Sequence, residues 1–401
     1  MTQPGSSTSS HVVIAGGGVA GLEALLALRA LLGDRVDLTL VSQDDWFVDR
    51  PMTVAEPFGL GRAKRHSLPE IAAECGAELV RGTVTAVDAA DRRVGLADGP
   101  DIAFGTLILA LGARARAPFS DAITFGFEGS RQAIQEMVER LRRGEAHSAS
   151  FVAPTMTGWL LPLYELALMT ARELAQSNAG DVQLRLLTPE DRPLALFGDE
   201  LSHSVGRLLG GAGIEFIRAS FAKVDGGGLV YGAIGQPSAD YVVTLPLLSG
   251  PELAGAPATQ PHGFIPVDEY GMVQGLTGVY AAGDAVDFPV KQGGLAAQQA
   301  DTAAEHIAAS YGAPVEPVPF QPVLRGMLFT GGEPLYMRSG VPGADPNTPG
   351  AWYPLWWPPT KVAGRYLAPY LFERVDEDEV GVPPVGFTDV DVPLASVTLP
   401  G

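Results

Sequence analysis

The sequence predicts an α/β fold in which two blocks of alternating strands and helices precede a shorter C-terminal region. Two observations predict it. The apolar runs "HVVIAGGG" (11–18) and "SASFVAP" (148–154) are each followed by a turn and a helix, as in a β-α-β unit. The run "TLILALGA" (106–113) is apolar throughout rather than alternating, which is typical of a strand buried on both faces of a parallel sheet.

Composition excludes several classes of protein. The chain has 401 residues, of which 46% are hydrophobic and 18% charged, as in an ordinary globular protein. Its net charge of −19 argues against binding to nucleic acid and against a basic patch for anionic membranes. The polar N-terminus "MTQPGSSTSS" has no signal-peptide core, and no uncharged run reaches the ~18 residues of a membrane span. We therefore expect a cytoplasmic protein.

The first block opens with a β-α-β unit. The strand at 11–18 leads into the helix "VAGLEALLALRALLG" (19–33), which a C-terminal glycine closes, and then into the strand "RVDLTLVS" (35–42). A capping box formed by Ser67 and Glu70 predicts a short helix after it. Residues 77–98 are predicted to form a β meander with a turn at "ADG".

The turn after the first strand carries the pattern G-x-G-x-x-G, made by Gly16, Gly18 and Gly21, with Val19 and Ala20 before the last glycine. Between a strand and a helix, these glycines permit a tight turn, admit a pyrophosphate next to the backbone, and pack the helix on the strand. The helix N-terminus then offers free N–H groups and a positive dipole end to the phosphates. The pattern predicts a dinucleotide site.

An acidic residue commonly follows such a turn after about twenty residues and bonds the ribose, but it is absent from that place here. The second strand ends in "LVSQDD", so Ser42 stands there, followed by Gln43, Asp44 and Asp45. Two possibilities stay open: Ser42 bonds the ribose, or an aspartate reaches back from the loop. Ser42 and Gln43 are included in the predicted cofactor site.

A second α/β block follows, and the pattern of the first block then returns. The strand and turn "TGVYAAGDAV" and the Ala-rich helix "GGLAAQQADTAAEHIAASYG" are predicted to belong to the same domain as the first block. We predict two Rossmann-like, three-layer domains, with the second inserted into the first. The expected boundaries are 1–118 and 245–312 for the first domain, 119–244 for the second, and 313–401 for an aromatic, proline-rich C-terminal region.

Three motifs in order carry a family resemblance. Besides the glycine turn, "TLILALGA" ends in a turn containing Ala110, Leu111 and Gly112, and "GVYAAGDA" places Asp284 after Gly283. The chain resembles the two-dinucleotide-domain FAD oxidoreductases of the pyridine nucleotide–disulfide reductase superfamily. This resemblance implies FAD as cofactor, with Asp284 bonding its ribityl chain.

Further segments resemble one branch of that superfamily, which contains sulfide:quinone oxidoreductase, flavocytochrome c sulfide dehydrogenase and type II NADH dehydrogenase. They are "WFVDRP" (46–51), "PLYELAL" (162–168) and "KQGGLAAQQA" (291–300). The resemblance implies that the start of the last segment lies beside the flavin ring, with the helix after it aimed at the pyrimidine end.

The resemblance to this branch implies several residues of the predicted site. Glu165 and Lys291 are the candidate catalytic residues, Glu165 as a proton relay. The cofactor-binding candidates from these segments and the meander are Arg50, Pro51, Val84, Lys291, Gln292 and Gly293.

The chain departs from both kinds of relative. Its single cysteine, Cys75, is expected to be a buried structural thiol, which excludes thiol–disulfide chemistry. In "FVAPTMTGWLLPLYELA", where the second glycine turn should be, Ala153 and Thr155 replace two glycines and only Gly158 remains. Pro154 also removes a backbone N–H. We expect a dinucleotide to bind this turn poorly.

The leading interpretation is an FAD-dependent oxidoreductase that resembles sulfide:quinone oxidoreductase without its redox cysteines. It would transfer two electrons through flavin from an unknown donor to a quinone or another small acceptor. Glu190, after the next strand, stands where a ribose-binding acid would sit and keeps open the alternative of an NAD(P)H:quinone oxidoreductase. A non-catalytic flavin-binding scaffold is the third interpretation. No metal site is predicted.

The tail "AWYPLWWPPTKVAGRYLAPYLF" (351–372) holds three of the five tryptophans. Its prolines and charges exclude a spanning helix. We favour a packed segment that covers the flavin pocket or a dimer interface. Contact with the inner face of a membrane, or with a partner protein, stays open because tryptophan, tyrosine, lysine and arginine also suit an interface.

Overall fold

The computed structural model describes residues 10–154, 158–177, 179, 181–219, 222–225, 228–231, 239–338, 350–351 and 354–374. Thr155 of the second turn lies outside the described residues. The predicted α/β class is confirmed, because two five-stranded parallel sheets with helices between their strands form the body of the protein.

The described strands are β1 (His11–Ala15), β2 (Asp37–Ser42), β3 (Trp46–Val48), β4 (Arg65–Ser67), β5 (Glu78–Arg81), β6 (Val84–Asp88), β7 (Arg93–Leu96), β8 (Ile102–Ala103), β9 (Thr106–Leu109), β10 (Arg114–Arg116), β11 (Ile123–Thr124), β12 (Ser148–Val152), β13 (Gln183–Thr188), β14 (Ile214–Arg218), β15 (Ala222–Asp225), β16 (Gly228–Tyr231), β17 (Tyr241–Thr244), β18 (Leu247–Ser249), β19 (Val279–Ala281), β20 (Arg325–Leu328), β21 (Leu335–Arg338) and β22 (Gly350–Ala351). The described helices are α1 (Val19–Leu32), α2 (Leu68–Glu74), α3 (Ser130–Arg142), α4 (Leu161–Gln176), α5 (Asp199–Gly211), α6 (Gly293–Ser310) and α7 (Leu367–Phe372).

The first sheet has the order β5-β2-β1-β9-β19, and all its neighbours are parallel. Strand β9 is completely buried, as its continuous apolar sequence predicts. Because parallel strands end at the same edge, the turns after β1, β9 and β19 meet there. The strands of this sheet come from the two chain segments that we assign to the first domain; the boundaries stay a prediction.

The second sheet has the order β14-β13-β12-β17-β11, again parallel throughout. Helices α3, α4 and α5 connect its strands and bury their apolar faces in one large core. Helix α4 has eleven buried residues among its sixteen, so it lies inside the protein rather than on its surface.

The predicted meander at 77–98 is wrong in its first strand. Strand β5 pairs with β2 in the parallel sheet, while β6, β7 and β8 form a separate antiparallel sheet. Alternation of small and apolar residues does not distinguish an edge strand of a parallel sheet from a meander strand.

Two features complete the body of the protein. Helices α1 and α6 pack along each other over the first sheet, with alanines of α6 fully buried against α1. Strands β20, β21 and β22 form a small antiparallel sheet, on which Trp356 packs edge to face with Tyr336. Among the described residues, no helix combines the length and the hydropathy needed to span a bilayer.

Candidate functional site

The glycine turn between β1 and α1 is held by close backbone packing. A Cβ atom on Gly16, whose φ is +122°, would lie 2.2 Å from the carbonyl oxygen of Ala110, and one on Gly21 would lie 1.8 Å from that of Gly16. These two positions accept only glycine. At Gly18, by contrast, no atom of the described residues lies within 4 Å of the Cβ position. The space is open on the side that a phosphate would approach.

Helix α1 begins without a side-chain cap. Gly18 is its N-cap, no side chain bonds the first N–H groups, and the first turn contains no acidic residue. An uncapped N-terminus presents several free N–H donors and the positive end of the helix dipole. This end of the helix is suited to an anion.

The end of β2 lies against the same turn. The Cβ position of Gly17 is 2.9 Å from Oγ of Ser42, and that hydroxyl accepts the N–H of Asp44. Asp45 is engaged in a salt bridge with Arg81 at 2.9 Å. Ser42 thus lies against the glycine turn, and the choice between Ser42 and an aspartate as the ribose contact stays open.

The turn after β19 packs on the first turn of α1. Gly283, in the 3₁₀ turn Gly283–Ala285, has a Cβ position 3.1 Å from Cβ of Ala20, and Gln299 accepts its N–H at 2.8 Å. This places Asp284 beside the helix start. Within the described chain, its carboxylate has no hydrogen-bond partner. Burial raises the pKa of Asp284, and the nearby cations of Lys291 and Arg50 oppose that rise.

Lys291 lies at the junction of the two sheets. Its backbone N–H donates to the carbonyl of Gly158 at 3.3 Å, and its ammonium donates to the carbonyl of Val286. The ammonium also lies 3.6 Å from the ring centroid of Phe264. Burial lowers the pKa of Lys291 to about 8, against the opposing charges of Asp284 and Asp287. A lysine so placed changes its charge close to neutral pH.

The start of α6 is fixed by Gln292. Its side-chain oxygen accepts the N–H of Leu295 at 2.8 Å, and its amide nitrogen donates to the carbonyl of Arg325. Gly293 follows with Val362 packed against it, 3.1 Å from its Cβ position. The predicted segment 291–293 is thus held rigidly between α6 and the C-terminal region.

Glu165 is fully buried in α4 and is paired. Its Oε1 accepts the ammonium of Lys361 at 2.5 Å and the N–H of Phe329 at 2.8 Å, while Oε2 has no partner in the described part of the chain. Burial raises the pKa of Glu165 and lowers that of Lys361, and each charge opposes the shift of the other. Asp49, whose pKa burial also raises, acts on Lys361 from the loop before Arg50.

Two described residues associated with the second turn, Gly158 and Glu190, contact other parts of the protein. A Cβ atom on Gly158 would lie 2.8 Å from the side chain of Lys291 and 3.0 Å from the carbonyl of Pro289. Glu190 accepts the hydroxyl of Tyr164 at 2.5 Å, and the same hydroxyl accepts the N–H of Leu194. Glu190, which the sequence places where a ribose-binding acid would sit, is therefore hydrogen-bonded within the protein.

Residues 10–157 match the family model described as pyridine nucleotide-disulphide oxidoreductase. The match covers less than half of the chain and includes the glycine turn after β1. The chain is thus similar to this family over a region in which the sequence motifs indicated the resemblance.

Solved structures share its fold at low identity. The sulfide:quinone oxidoreductase of Aquifex aeolicus matches with a TM-score of 0.73 and 19% identity, over 82% of this chain and 83% of that one. The ferredoxin reductase for the CYP199A2 system of Rhodopseudomonas palustris matches with a TM-score of 0.61 and 20% identity, over 82% and 81%. The NAD-dependent persulfide reductase of A. fulgidus matches with a TM-score of 0.60 and 20% identity; the match covers 82% of this chain but only 64% of that one.

The residues at this edge of the first sheet fit FAD. The open space at Gly18, the uncapped start of α1 and the unpartnered carboxylate of Asp284 lie along one edge of the first sheet, as a dinucleotide would require. The structure brings together most of the predicted cofactor-binding positions there: Gly16, Gly18, Val19, Ala20, Gly21, Ser42, Ala110, Gly283 and Asp284.

The other predicted cofactor-binding positions lie farther from this group. Val84 packs on the same core cluster as Leu111, Gly112 has a φ of +69°, and Gln43 is exposed. Arg50 and Pro51 begin a 3₁₀ segment near Asp284. Sequence reasoning assigned no role in the site to Lys361, although a lone lysine in the aromatic run "WWPPTKVAG" is a signal that it is partnered.

Proposed function

We propose that the chain binds FAD along the edge of the first sheet and transfers two electrons through it from a donor other than NAD(P)H to a small acceptor, such as a quinone. The observation that carries the proposal is the group of glycines and the single carboxylate described above. The Cβ position of Gly18 faces open space, and α1 begins without a side-chain cap. The carboxylate of Asp284 has no hydrogen-bond partner in the described chain.

Bound FAD would supply the two-electron chemistry. The first N–H groups of α1 would hold its pyrophosphate, and Asp284 would accept a hydrogen bond from a hydroxyl of its sugar-like chain. Ser42, at the end of β2, is the proposed ribose contact. Gly16 and Gly21 keep the turn compact enough for the backbone to approach the phosphates.

At the ring end, we propose that Lys291 and the start of α6 favour negative charge. The helix N-terminus contributes its dipole, and Lys291 contributes a full charge below its pKa of about 8. Arg50 is the second cation near Asp284, after Lys291. Lys291 would touch the cofactor directly, whereas Gln292 positions the helix start.

Two features support a donor other than a nicotinamide. The carboxylate of Glu190 is bonded to Tyr164, so it is not offered to a ribose. Gly158 is packed against Lys291 and Pro289, which fills the space next to the second turn. Cys75, the only cysteine in the chain, is buried beneath α1 with a raised pKa, which argues against a thiol as the electron carrier.

The role of Glu165 as a proton relay stays a proposal. Its ion pair with Lys361 shows that the carboxylate already has a structural partner. The quinone acceptor is proposed by analogy with the similar protein of A. aeolicus, which is named for that acceptor. A homodimer and contact with a membrane surface are proposed only as consequences of the aromatic tail.

The proposed function is tested by anaerobic flavin absorbance on the purified protein, mixed in turn with NADH, NADPH and sulfide. We expect the protein to carry FAD, and we expect neither nicotinamide to bleach it quickly. Fast bleaching by NADH would refute the assignment of the second turn and establish the alternative, an NAD(P)H:quinone oxidoreductase. Failure of every reductant would favour the scaffold, and purification without flavin would overturn the proposal entirely.

A further inference from the structure

A cavity lies between the loop after the 3₁₀ segment Arg50–Phe58 and the first two turns of α3. Its volume is about 460 Å³, which is within the range of about 300–1,000 Å³ that is typical of small-molecule sites. The described residues that line it are Glu56, Gly59, Gly61, Arg62, Arg131 and Gln135. Its walls therefore come from two stretches of the chain that we assign to different domains.

The loop wall carries positive charge without acidic neighbours in the sequence. Residues 57–69, "PFGLGRAKRHSLP", contain Arg62, Lys64 and Arg65 but no aspartate or glutamate, in a chain whose net charge is −19. Arg65 lies over the ring of Trp46, 5.3 Å from its centroid. The side chain of Arg62 is exposed and forms no ion pair or hydrogen bond with the described residues. Its guanidinium is thus left to the cavity.

The helix wall carries the second guanidinium. Arg131 lies in the first turn of α3, and Gln135, one turn later, is on the same side of the helix. The first turn contains no acidic residue, and Arg131 has no ion-pair partner within the described part of the chain. Arg140 and Arg142 of the same helix, by contrast, each pair with a glutamate. Arg131 is therefore a cation without a counter-charge at the cavity wall.

Among the described residues of the lining, Glu56 is the one acid, and it is bonded to the loop. Its Oε1 accepts the N–H of Ala63 at 2.9 Å, which closes the loop next to Arg62. Two guanidinium groups and one carboxylate leave the cavity with a net positive charge. At Gly59, whose φ is +67°, no described atom lies within 4 Å of the Cβ position, so no described side chain fills that space.

This arrangement suits an anion with two or more oxygens. A guanidinium group presents parallel N–H donors that match the oxygens of a carboxylate or a phosphate, and here two such groups line one cavity. We propose that the cavity binds a small organic anion, which carries a carboxylate or a phosphate group, between Arg62 and Arg131. The volume is that of a small-molecule site, so the anionic group would belong to an organic molecule rather than to an isolated ion.

This proposal goes beyond the proposed function, because none of the lining residues belongs to the predicted cofactor site. The bound anion would join the loop of the first block to α3 of the second. A ligand that binds only the folded protein also raises its stability as the ligand concentration increases. The anion should therefore raise the temperature of thermal unfolding.

The test is the binding of two probes, inorganic phosphate and succinate, to the purified holoprotein at low ionic strength. Line broadening in phosphorus and proton NMR measures the binding, and succinamide is the uncharged control for succinate. We expect at least one anion to bind with a millimolar dissociation constant and succinamide not to bind. Binding of phosphate alone would identify a phosphate ligand, and binding of succinate alone a carboxylate ligand. Added salt should weaken the binding, because both guanidinium groups are exposed.

Two variants and a matched control locate the binding. Arg62→Gln and Arg131→Gln should each weaken it at least about tenfold, because each removes charged hydrogen-bond donors from the cavity. Arg116→Gln removes an exposed arginine in β10 that does not line the cavity, so it should leave the affinity unchanged. Circular dichroism checks that all three variants fold, as expected for exposed positions.

Absence of binding by both anions, or binding that Arg62→Gln and Arg131→Gln leave unchanged, would overturn the proposal. Neither readout depends on flavin or on electron transfer, so failure of the proposed function would leave this test intact. Phosphate bound at the glycine turn of a flavin-free protein would be insensitive to both variants, and it would therefore not be mistaken for binding in the cavity.

Discussion

The buried charges of Glu165 and Lys361 should stabilise each other strongly. When one partner is removed, the pH dependence of protein stability should show which charge is left. Both side chains are almost completely removed from water, at 1% and 7% exposure. Removal of one partner from such a pair leaves an uncompensated buried charge, which costs about 3–5 kcal/mol. We therefore expect Lys361→Met to destabilise the protein by about that amount at neutral pH. Glu165→Gln should cost less, because Asp49 still faces the remaining lysine.

The two single variants should respond to pH in opposite directions. In Lys361→Met, the pKa of Glu165 is raised above its unfolded value, so the folded protein binds the extra proton and the loss of stability shrinks as the pH falls. In Glu165→Gln, the pKa of Lys361 is lowered below its unfolded value, so the loss shrinks as the pH rises. The double variant Lys361→Met/Glu165→Gln should cost less than the sum of the two.

The assay is urea unfolding of the purified holoprotein at several pH values, followed by circular dichroism, with stability differences taken from midpoint shifts at a common slope. The phenylalanine N–H that also bonds Glu165 is present in every variant, so it does not affect the comparison. A cost below about 1 kcal/mol for Lys361→Met, with no pH dependence, would place the pair in the class of solvated surface bridges and refute the reasoning.

Three further predictions concern the cofactor. Gly18→Thr keeps a good N-cap residue but fills the open space, so it should lower FAD affinity at least about tenfold with little change in stability. Gly21→Ala should prevent folding, because its Cβ would lie 1.8 Å from a carbonyl oxygen. Flavin retention measures the affinity, and thermal unfolding measures the stability. Asp284→Asn should weaken FAD binding by about 1–3 kcal/mol. The fluorescence of flavin released during dialysis measures this loss. If the variant retained as much flavin as the wild type, a direct contact between Asp284 and FAD would be contradicted. In the wild type, the bound-flavin potential should fall through pH about 8 as Lys291 loses its charge, and Lys291→Met should have a lower potential at neutral pH without that transition.

The sequence predicted best what depends on neighbouring residues. The glycine turn, the buried run of β9 and the Ser67 cap of α2, which accepts the N–H of Glu70, are local patterns, and the structure contains them. Their signals lie within a few residues of each other, so no long-range contact is needed to read them.

What the sequence did not predict depends on distant contacts. Lys361 and Glu165 are separated by 196 residues, and no spacing rule links them. Glu23 is a charge in the apolar run "GLEALLAL", which predicts that it is paired but not with what. Glu190 was assigned by its position after a strand, yet a tyrosine from another element had already bonded it. Position along the chain indicates where a carboxylate lies, and tertiary packing decides whether it is free.

The contact at Gly158 has a mechanical consequence. In a nucleotide-binding domain, that glycine would be a place where two parts of one domain meet, but here it presses the second sheet's turn onto the loop that carries Lys291. A rotation of one sheet relative to the other would therefore also move Lys291, which lies beside the proposed flavin. A turn that has lost two of its three glycines would in this way serve as a rigid joint between the halves of the molecule, and a larger residue at 158 would loosen it even if no ligand ever touched that residue.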